Sequence, residues 1–117
     1  MYKINYHQLT SIGDKACNQD YMLYKIEEDY ALFVLADGLG GHKAGEMASH
    51  YFCQSFIYFA PKYAALVSRS PTKVVTKWLD AALNMMRDAF QGDPVAQEAY
   101  TTCAILILTD THVISVH

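Results

Sequence analysis

The chain has 117 residues, of which 52% are apolar and 18% charged, a composition that supports one folded domain and excludes both a two-domain protein and a disordered tail. The formal net charge of −3, with Lys and Arg scattered along the chain, gives no electrostatic footprint for nucleic acid. The longest apolar runs fall far short of the ~20 residues that span a bilayer, and Met1-Tyr2-Lys3-Ile4-Asn5 opens without the apolar core of a signal peptide, so the sequence predicts a cytoplasmic address with no membrane partner.

In chain order, residues 2–10 read as an edge strand closed by Ser11-Ile12-Gly13-Asp14. Residues 20–26 mix aromatic and aliphatic side chains and end in the charged turn Glu27-Glu28-Asp29. Residues 30–36 are apolar throughout, which suits a strand covered on both faces. That strand stops at Asp37-Gly38, and Leu39-Gly40-Gly41 continues as a loop too rich in glycine for a regular element.

The middle of the chain predicts two helices. From about Ala44, the positions Ala48, Phe52, Phe56, Phe59 and Tyr63 recur at three- and four-residue spacing, an apolar stripe that Pro61 kinks or ends. Ser70-Pro71 reads as an N-cap followed by proline at the first helical position. Val74, Val75, Trp78, Ala82, Met86 and Ala89 form the second stripe, which Gly92-Asp93-Pro94 stops. Residues 103–109 and 112–116 return to strands across a turn at Asp110-Thr111 that lacks the Asn-Gly or Asp-Gly hairpin signal. Strands, two helices and strands in that order predict an α+β domain whose helices cover one face of a mainly antiparallel sheet. Cys17, Cys53 and Cys103 are an odd, widely spaced set with no CxxC pair, which argues against disulfides or a thiolate zinc site and for small apolar core residues.

Two acidic residues stand where chemistry could be done. Asp37 follows an apolar strand and precedes glycines, so its carboxylate projects from a rigid element beside backbone that carries little bulk. Asp20 opens a strand directly after Asn18-Gln19 and lies near Asp37 if those strands pair. Two carboxylates that close repel, and one takes up a proton unless a cation sits between them. Hard oxygen ligands with open positions suit Mg²⁺ or Mn²⁺. The plainer reading, a turn beginning at Asp37 and a strand cap at Asp20, stays open on the residue pattern alone. Gly38-Leu39-Gly40 begins a GxGxxG pattern, but Lys43 takes its sixth position and no GxxxxGK[ST] occurs, which argues against a nucleotide loop. His42 and His50 lack the i, i+4 spacing of a helical zinc pair. His50 reads as a partly buried, hydrogen-bonded residue, and His42, beside the glycines, as a candidate behind the metal ligands or on the substrate side. Ser11, Ser49 and Cys53 have no positioned base, so a side-chain nucleophile has no support.

The segments Gly13-Asp14-Lys15-Ala16-Cys17-Asn18-Gln19-Asp20, Phe33-Val34-Leu35-Ala36-Asp37-Gly38-Leu39-Gly40-Gly41-His42 and Gly45-Glu46-Met47-Ala48-Ser49 resemble the opening motifs of the protein phosphatase 2C-like family, in its bacterial form. Tyr100-Thr101-Thr102-Cys103-Ala104 is similar to the family's Gly-Thr-Thr strand start. The resemblance covers essentially all of this chain but only about the first half of a family catalytic domain. It implies half of a four-layer αββα sandwich, with a metal cluster at one end, in a hydrolase that removes phosphate from phosphoserine and phosphothreonine in protein substrates.

By that resemblance Asp37 bridges two Mn²⁺ or Mg²⁺ ions, the Gly38 carbonyl binds one of them, and Asp20 acts near the cluster through water. A water bridging the cations attacks phosphorus in line, without a phosphoenzyme. Lys15 stands five residues before Asp20, where the family usually has an arginine that grips the substrate phosphate; lysine keeps the charge and loses the bidentate fork. Gln19 replaces an acid that some members carry, Leu39 a histidine of many eukaryotic members, and Tyr100 the usual glycine. The family's later aspartates would lie beyond His117, after a Gly-Asp-Ser-Arg-like turn. Residues 1–117 therefore read as the N-terminal part of a single catalytic domain, truncated before the C-terminal metal-ligand motifs, weak in metal binding and inactive alone. Half a sandwich would also expose an apolar sheet surface, and self-association is expected, with a second copy supplying the absent layer. A non-catalytic phosphatase-like binding module is the alternative that the lysine at position 15 keeps in view.

Overall fold

The computed structural model of the chain describes residues 19–39, 42–94, 96 and 99–117. The expected edge strand at residues 2–10 and its closing turn at 11–14 lie outside the described residues, as do Lys15 and Cys17. Strand β1 (Asp20–Ile26) pairs antiparallel with β2 (Tyr30–Leu39) across the charged turn, where the Glu27 amide donates to the Tyr30 carbonyl at 2.8 Å. Helices α1 (His42–Tyr58), α2 (Ala60–Tyr63) and α3 (Pro71–Phe90) follow. Strands β3 (Tyr100–Thr109) and β4 (Val113–Val116) complete a four-stranded antiparallel sheet in the order β1-β2-β3-β4. The architecture is α+β, with the helices on one side of the sheet.

Strand alternation sorts β2 into two unlike faces. Tyr30, Leu32, Val34 and Ala36 are buried on the face that the helices cover, whereas Leu35, Asp37 and Leu39 on the other face are exposed. The expectation of a strand covered on both faces is therefore corrected: within the described residues one face is covered along its length, while on the other Ala31 is buried, Phe33 half-buried, and Leu35 and Leu39 meet water. β2 also runs past its expected end, since pairing with β3 continues through Gly38 opposite Thr101 and Leu39 opposite Tyr100. Glycine weakens a strand but pairs in it wherever a neighbouring backbone must come close.

α1 lies across β1, β2 and β3 and buries Ala44, Ala48, Phe52 and Phe56, one residue every four. It ends at Tyr58 because Pro61, in the first turn of α2, has no amide to continue the ladder. α3 packs along α1 and begins as the sequence indicates, with Ser70 at the N-cap and Pro71 first. The Ser70 carbonyl accepts the Val74 amide at 2.9 Å, while its side chain makes no capping bond. The buried stripe of α3 is Val75, Trp78, Ala82, Met86 and Phe90. Its last member is Phe90, with Ala89 exposed, because a strict four-residue step carries the stripe one position further. Gly92, at φ 82°, takes the left-handed conformation just past the helix end. Among the described residues no helix is long and apolar enough to cross a membrane.

The helix pair is joined at two points, by Tyr51 edge-on to Phe90 with centroids 5.3 Å apart and by Trp78. The Trp78 indole stacks on Phe56 with centroids 4.3 Å apart and planes 7° apart, and lies 6.0 Å from the Tyr63 ring. Its Nε1–H donates to the Phe56 carbonyl at 2.8 Å, in the last turn of α1, where carbonyls run out of helical partners. The β3–β4 hairpin is closed in a comparable way: Thr109 Oγ1 accepts the amides of Thr111 and His112 at 3.3 and 3.0 Å, doing the work of an Asn-Gly turn.

Cys53 and Cys103 are free thiols. Cys53, fully buried on α1, donates to the Tyr21 carbonyl at 3.7 Å. Burial, with a smaller contribution from Cys103, pushes its thiol from 9.0 up to about 12. An acid whose folded pKa is raised contributes stability that is complete below its unfolded value and lost as pH climbs toward the folded value. Stability should therefore decline between pH 9 and about 12, and Cys53→Ala should flatten that decline in urea titrations; an identical slope in the variant would exclude the thiol as its source. In the same assay at neutral pH, Trp78→Ala should cost about 3–5 kcal/mol by removing the stack and orphaning the Phe56 carbonyl. A loss below about 1 kcal/mol would mean that α1 and α3 are held together elsewhere.

Candidate functional site

The antiparallel register sets Asp20 of β1 directly opposite Asp37 of β2, and Thr102 of β3 opposite Asp37 on its other side. Directly opposed residues lie about 4.5–5.5 Å apart at Cα and share a face of the sheet. Both carboxylate residues therefore belong to the outer face, the one without helices, at its end. Like charges opposite one another weaken a sheet, so this pairing persists only because other contacts impose the register.

Those contacts converge on Gly38. Its amide donates to the Gln19 carbonyl at 3.0 Å, extending the ladder one step beyond Asp20. A Cβ on Gly38 would run into the backbone of Gly45 in the first turns of α1, and a Cβ on Gly45 would stand 2.8 Å from Gln19 Cδ and 3.0 Å from the Gly38 carbonyl carbon. The strand end, the helix start and the Gln19 side chain thus occupy one closely packed junction directly behind the carboxylates. On the β3 side, the hydroxyls of Thr101 and Thr102 lie 3.1 and 3.4 Å from the Asp37 carbonyl, and Thr101 also reaches the Thr102 carbonyl at 2.8 Å. The backbone of Asp37 is held from three sides while its side chain faces outward.

Of the residues that the sequence singles out, Asp20, Asp37, Gly38 and Gln19 are brought together at this junction. His42 is the first residue of α1, and its side chain lies outside the described residues, as do Lys15, Gly40 and Gly41. His50 stands apart: half-buried on α1, it packs against Tyr21 with ring centroids 3.8 Å apart, on the opposite face of the sheet from the carboxylates. Sequence reasoning missed Gly45 and Thr101. The signal for the first was available, because two glycines flanking a strand-to-helix junction mark a close backbone approach.

The donor set suits a hard divalent cation in kind. Oxygen ligands from two opposed carboxylates and an adjacent carbonyl fit Mg²⁺ or Mn²⁺, and a cation between the carboxylates relieves their repulsion. In number the set falls short of an octahedral shell: among the described residues no group of three or more His, Cys, Asp or Glu converges, so water or other protein must supply the remaining positions. A recess of about 620 Å³ between the end of α3 and the start of β3, lined by Met86, Arg87, Phe90 and Thr101 among others, opens elsewhere and is not lined by either carboxylate.

Comparison with known proteins gives three findings. The protein phosphatase 2C family profile matches residues 8–117. The serine/threonine phosphatase of S. agalactiae superposes with a TM-score of 0.64 at 21% identity, over 88% of this chain and 43% of the other. The serine/threonine phosphatase PstP/Ppp of Mycobacterium tuberculosis superposes with a TM-score of 0.63 at 25% identity, over 88% of this chain and 41% of the other. The chain thus spans less than half the length of these structural relatives. A search of curated protein sequences returns no match.

The junction makes a direct prediction. Gly38→Ala and Gly45→Ala should each destabilise the fold by about 1–3 kcal/mol, the usual cost of forcing atoms into a filled space, and Gly38→Ala should be the worse because it meets backbone. Chemical denaturation reads the effect. If Gly45→Ala stabilised the protein, as expected at an unconstrained helix position, the close approach would be disproved.

Proposed function

Because the chain belongs to the protein phosphatase 2C family, whose phosphatases use Mn²⁺ or Mg²⁺, we propose that it forms the N-terminal part of a metal-dependent phosphatase acting on phosphoserine and phosphothreonine in proteins. The observation that carries this reading is the register that sets Asp20 against Asp37 on an exposed sheet face. Asp37 and the Gly38 carbonyl would hold the cations, with Asp20 close enough to act through water. When bound, a pair of divalent cations supplies an acidified water and neutralises charge on the phosphoryl oxygens.

The chain's own residues have other tasks. Asp37 keeps its carboxylate aimed outward because Thr101, Thr102 and the Gly38 junction fix its backbone. Gln19 packs against Gly45 and fixes the step before Asp20. Lys15 would meet the substrate phosphate as a point charge, five residues before Asp20 in the chain. No side chain needs to become phosphorylated, since the threonine hydroxyls beside Asp37 are directed at carbonyl oxygens. The partners on this reading are phosphoproteins and, through the outer sheet face, further protein. A non-catalytic binding module is favoured by one feature, the lysine in place of the family's phosphate-gripping arginine.

On this reading two carboxylates are too few to hold two cations firmly, and the 117-residue chain alone is a weak metal binder without activity. Mn²⁺ titration followed by electron paramagnetic resonance should give weak binding that Asp37→Asn removes, and hydrolysis of p-nitrophenyl phosphate should stay at background. Robust turnover by this chain would refute its incompleteness, and Mn²⁺ binding unchanged in Asp37→Asn would take Asp37 out of the site. In a longer protein containing this chain, Asp37→Ala should abolish turnover if the protein is an enzyme, and should leave partner affinity intact if it is a binding module.

A further inference from the structure

The helical layer carries a charge asymmetry that the carboxylate end of the sheet does not use. No Asp or Glu occurs between Glu46 and Asp80, and Lys62, Arg69, Lys73 and Lys77 all fall in that stretch. The rest of the chain holds five Lys and Arg against twelve Asp and Glu. Although these four cations are spread along the sequence, the fold gathers them where α1 ends and α3 begins. Between α2 and α3 the chain runs in tight turns, the Leu66 amide donating to the Tyr63 carbonyl at 3.0 Å and the Arg69 amide to the Leu66 carbonyl at 3.1 Å. Ala60, Ala64 and Val67 are buried along the inner side of this segment, and Lys62, Leu66 and Arg69 are exposed along the other. Lys73 and Lys77 are exposed one turn apart on α3, so they share a side of it. The Lys62 ammonium lies 5.1 Å over the Tyr63 ring, which in turn lies 6.0 Å from Trp78 of α3. None of the four cations forms an ion pair with a described residue. Beside them Tyr58, the last residue of α1, is 67% exposed and Leu66 40%.

Nothing in the fold asks for cations at this end. Arg69 and Lys73 flank the start of α3, where the helix dipole favours acids, and the first turn of α3 contains none. Charge held against the preference of the element that carries it is a conflict of the kind that marks functional positions. We infer that this end of the helical layer docks an acidic, partly apolar segment of a partner protein, with Lys62, Arg69, Lys73 and Lys77 facing its carboxylates and Tyr58 and Leu66 meeting its apolar side chain. Complementary charge selects an anion, and the extent of the patch selects its kind. A bilayer or a nucleic acid is a continuous anionic surface, which would run past the patch onto the acids that dominate the rest of the chain and be repelled there. A short acidic segment is met by the patch alone. The patch belongs to the layer on the other side of the sheet from Asp20 and Asp37, so it stays open whatever covers the outer sheet face. This inference is independent of the phosphatase reading, because it uses only the charge and exposure of the helical layer.

Fluorescence anisotropy of the whole chain with a short labelled oligoglutamate carrying a central leucine tests it. The expected result is saturable binding that weakens as salt rises and weakens again when the leucine of the probe is replaced by serine. Lys73→Glu and, separately, Lys77→Glu should each raise the Kd about fivefold or more, because each sets a like charge against the probe. Arg87→Glu, the same change of charge in the last turn of α3, should leave it unchanged. Loss of binding is separable from loss of fold, because Lys73→Glu puts an acid into the first turn of α3 and should raise the urea midpoint while it lowers affinity. The salt and leucine dependence of the unmodified chain decides the matter if a variant does not fold. Equal binding of the oligoglutamate and a matched oligolysine overturns the inference, as does an Arg87→Glu effect as large as those at Lys73 and Lys77. Displacement of the probe by phosphatidylglycerol vesicles or by a single-stranded oligonucleotide, at concentrations where the unlabelled peptide does not displace it, overturns it as well.

Discussion

The register between β1 and β2 is the constraint on which the rest of this structure depends. Side chains alternate along a strand, so a slip of one residue would turn Asp37 toward the helices and send Ala36 out to water. The observed register is resisted by repulsion between the opposed carboxylates. It is imposed from behind, by the apolar row Tyr30, Leu32, Val34 and Ala36 buried beneath α1, and by the Gly38–Gly45 approach that locks the strand end to the helix start. Core packing thus spends stability at one end of the sheet to present two acids side by side, a conflict between local and global preference of the sort that marks functional positions.

The same alternation explains why the two sides of the sheet behave so differently. The inner row is closed by α1, and α3 reaches the core through α1, with Trp78 clamping the pair by a stack and a hydrogen bond. The aromatic chain of Phe56, Trp78 and Tyr63 makes the helical layer one unit rather than two separately docked helices. The outer row is built from similarly apolar residues, and among the described residues no layer lies above them. Residues such as Leu35 and Leu106 are 44% and 37% exposed although their neighbours along each strand are buried, and only a second layer of protein would repay that exposure.

Most of the helical layer was legible because a 3.6-residue period leaves an unambiguous stripe. Phe52, Phe56, Trp78, Ala82 and Met86 were marked as core by spacing alone, and all are buried. Pro61 and Ser70-Pro71 gave the helix boundaries by their own backbone chemistry. The strands were legible in place but not in extent. β1 has the bounds its composition indicates, whereas β2 runs through Gly38 because a long-range contact with Gly45 overrides the local meaning of glycine. The β3–β4 turn carried no standard dipeptide because a threonine side chain performs that role. At the site, the approach of Asp20 to Asp37 could be stated only on condition that their strands paired, and pairing is a property of the whole sheet. What fixes Asp37, the Thr101 hydroxyl and the glycine junction, depends on residues 64 positions away and on backbone proximity, neither of which a motif displays.

The position of the carboxylates on the outer face ties the two open questions of this protein together. Any layer that packs on that face close to Asp20 and Asp37 withdraws water from them. Withdrawing water strengthens the attraction of two carboxylates for a cation and makes the same carboxylates more costly without one. Covering the face and holding a divalent ion are therefore coupled, and the coupling is reciprocal: whatever free energy the layer adds to cation binding, the cation adds to the docking of the layer. A layer that stops short of the corner would leave the acids hydrated and a cation weakly held. A layer that reaches the corner and brings oxygen ligands of its own would complete the coordination and close the sheet in one step. The weak metal binding proposed for this chain and the apolar surface that the described residues leave uncovered would then have a single cause, an Asp20–Asp37 end that no other described residue covers.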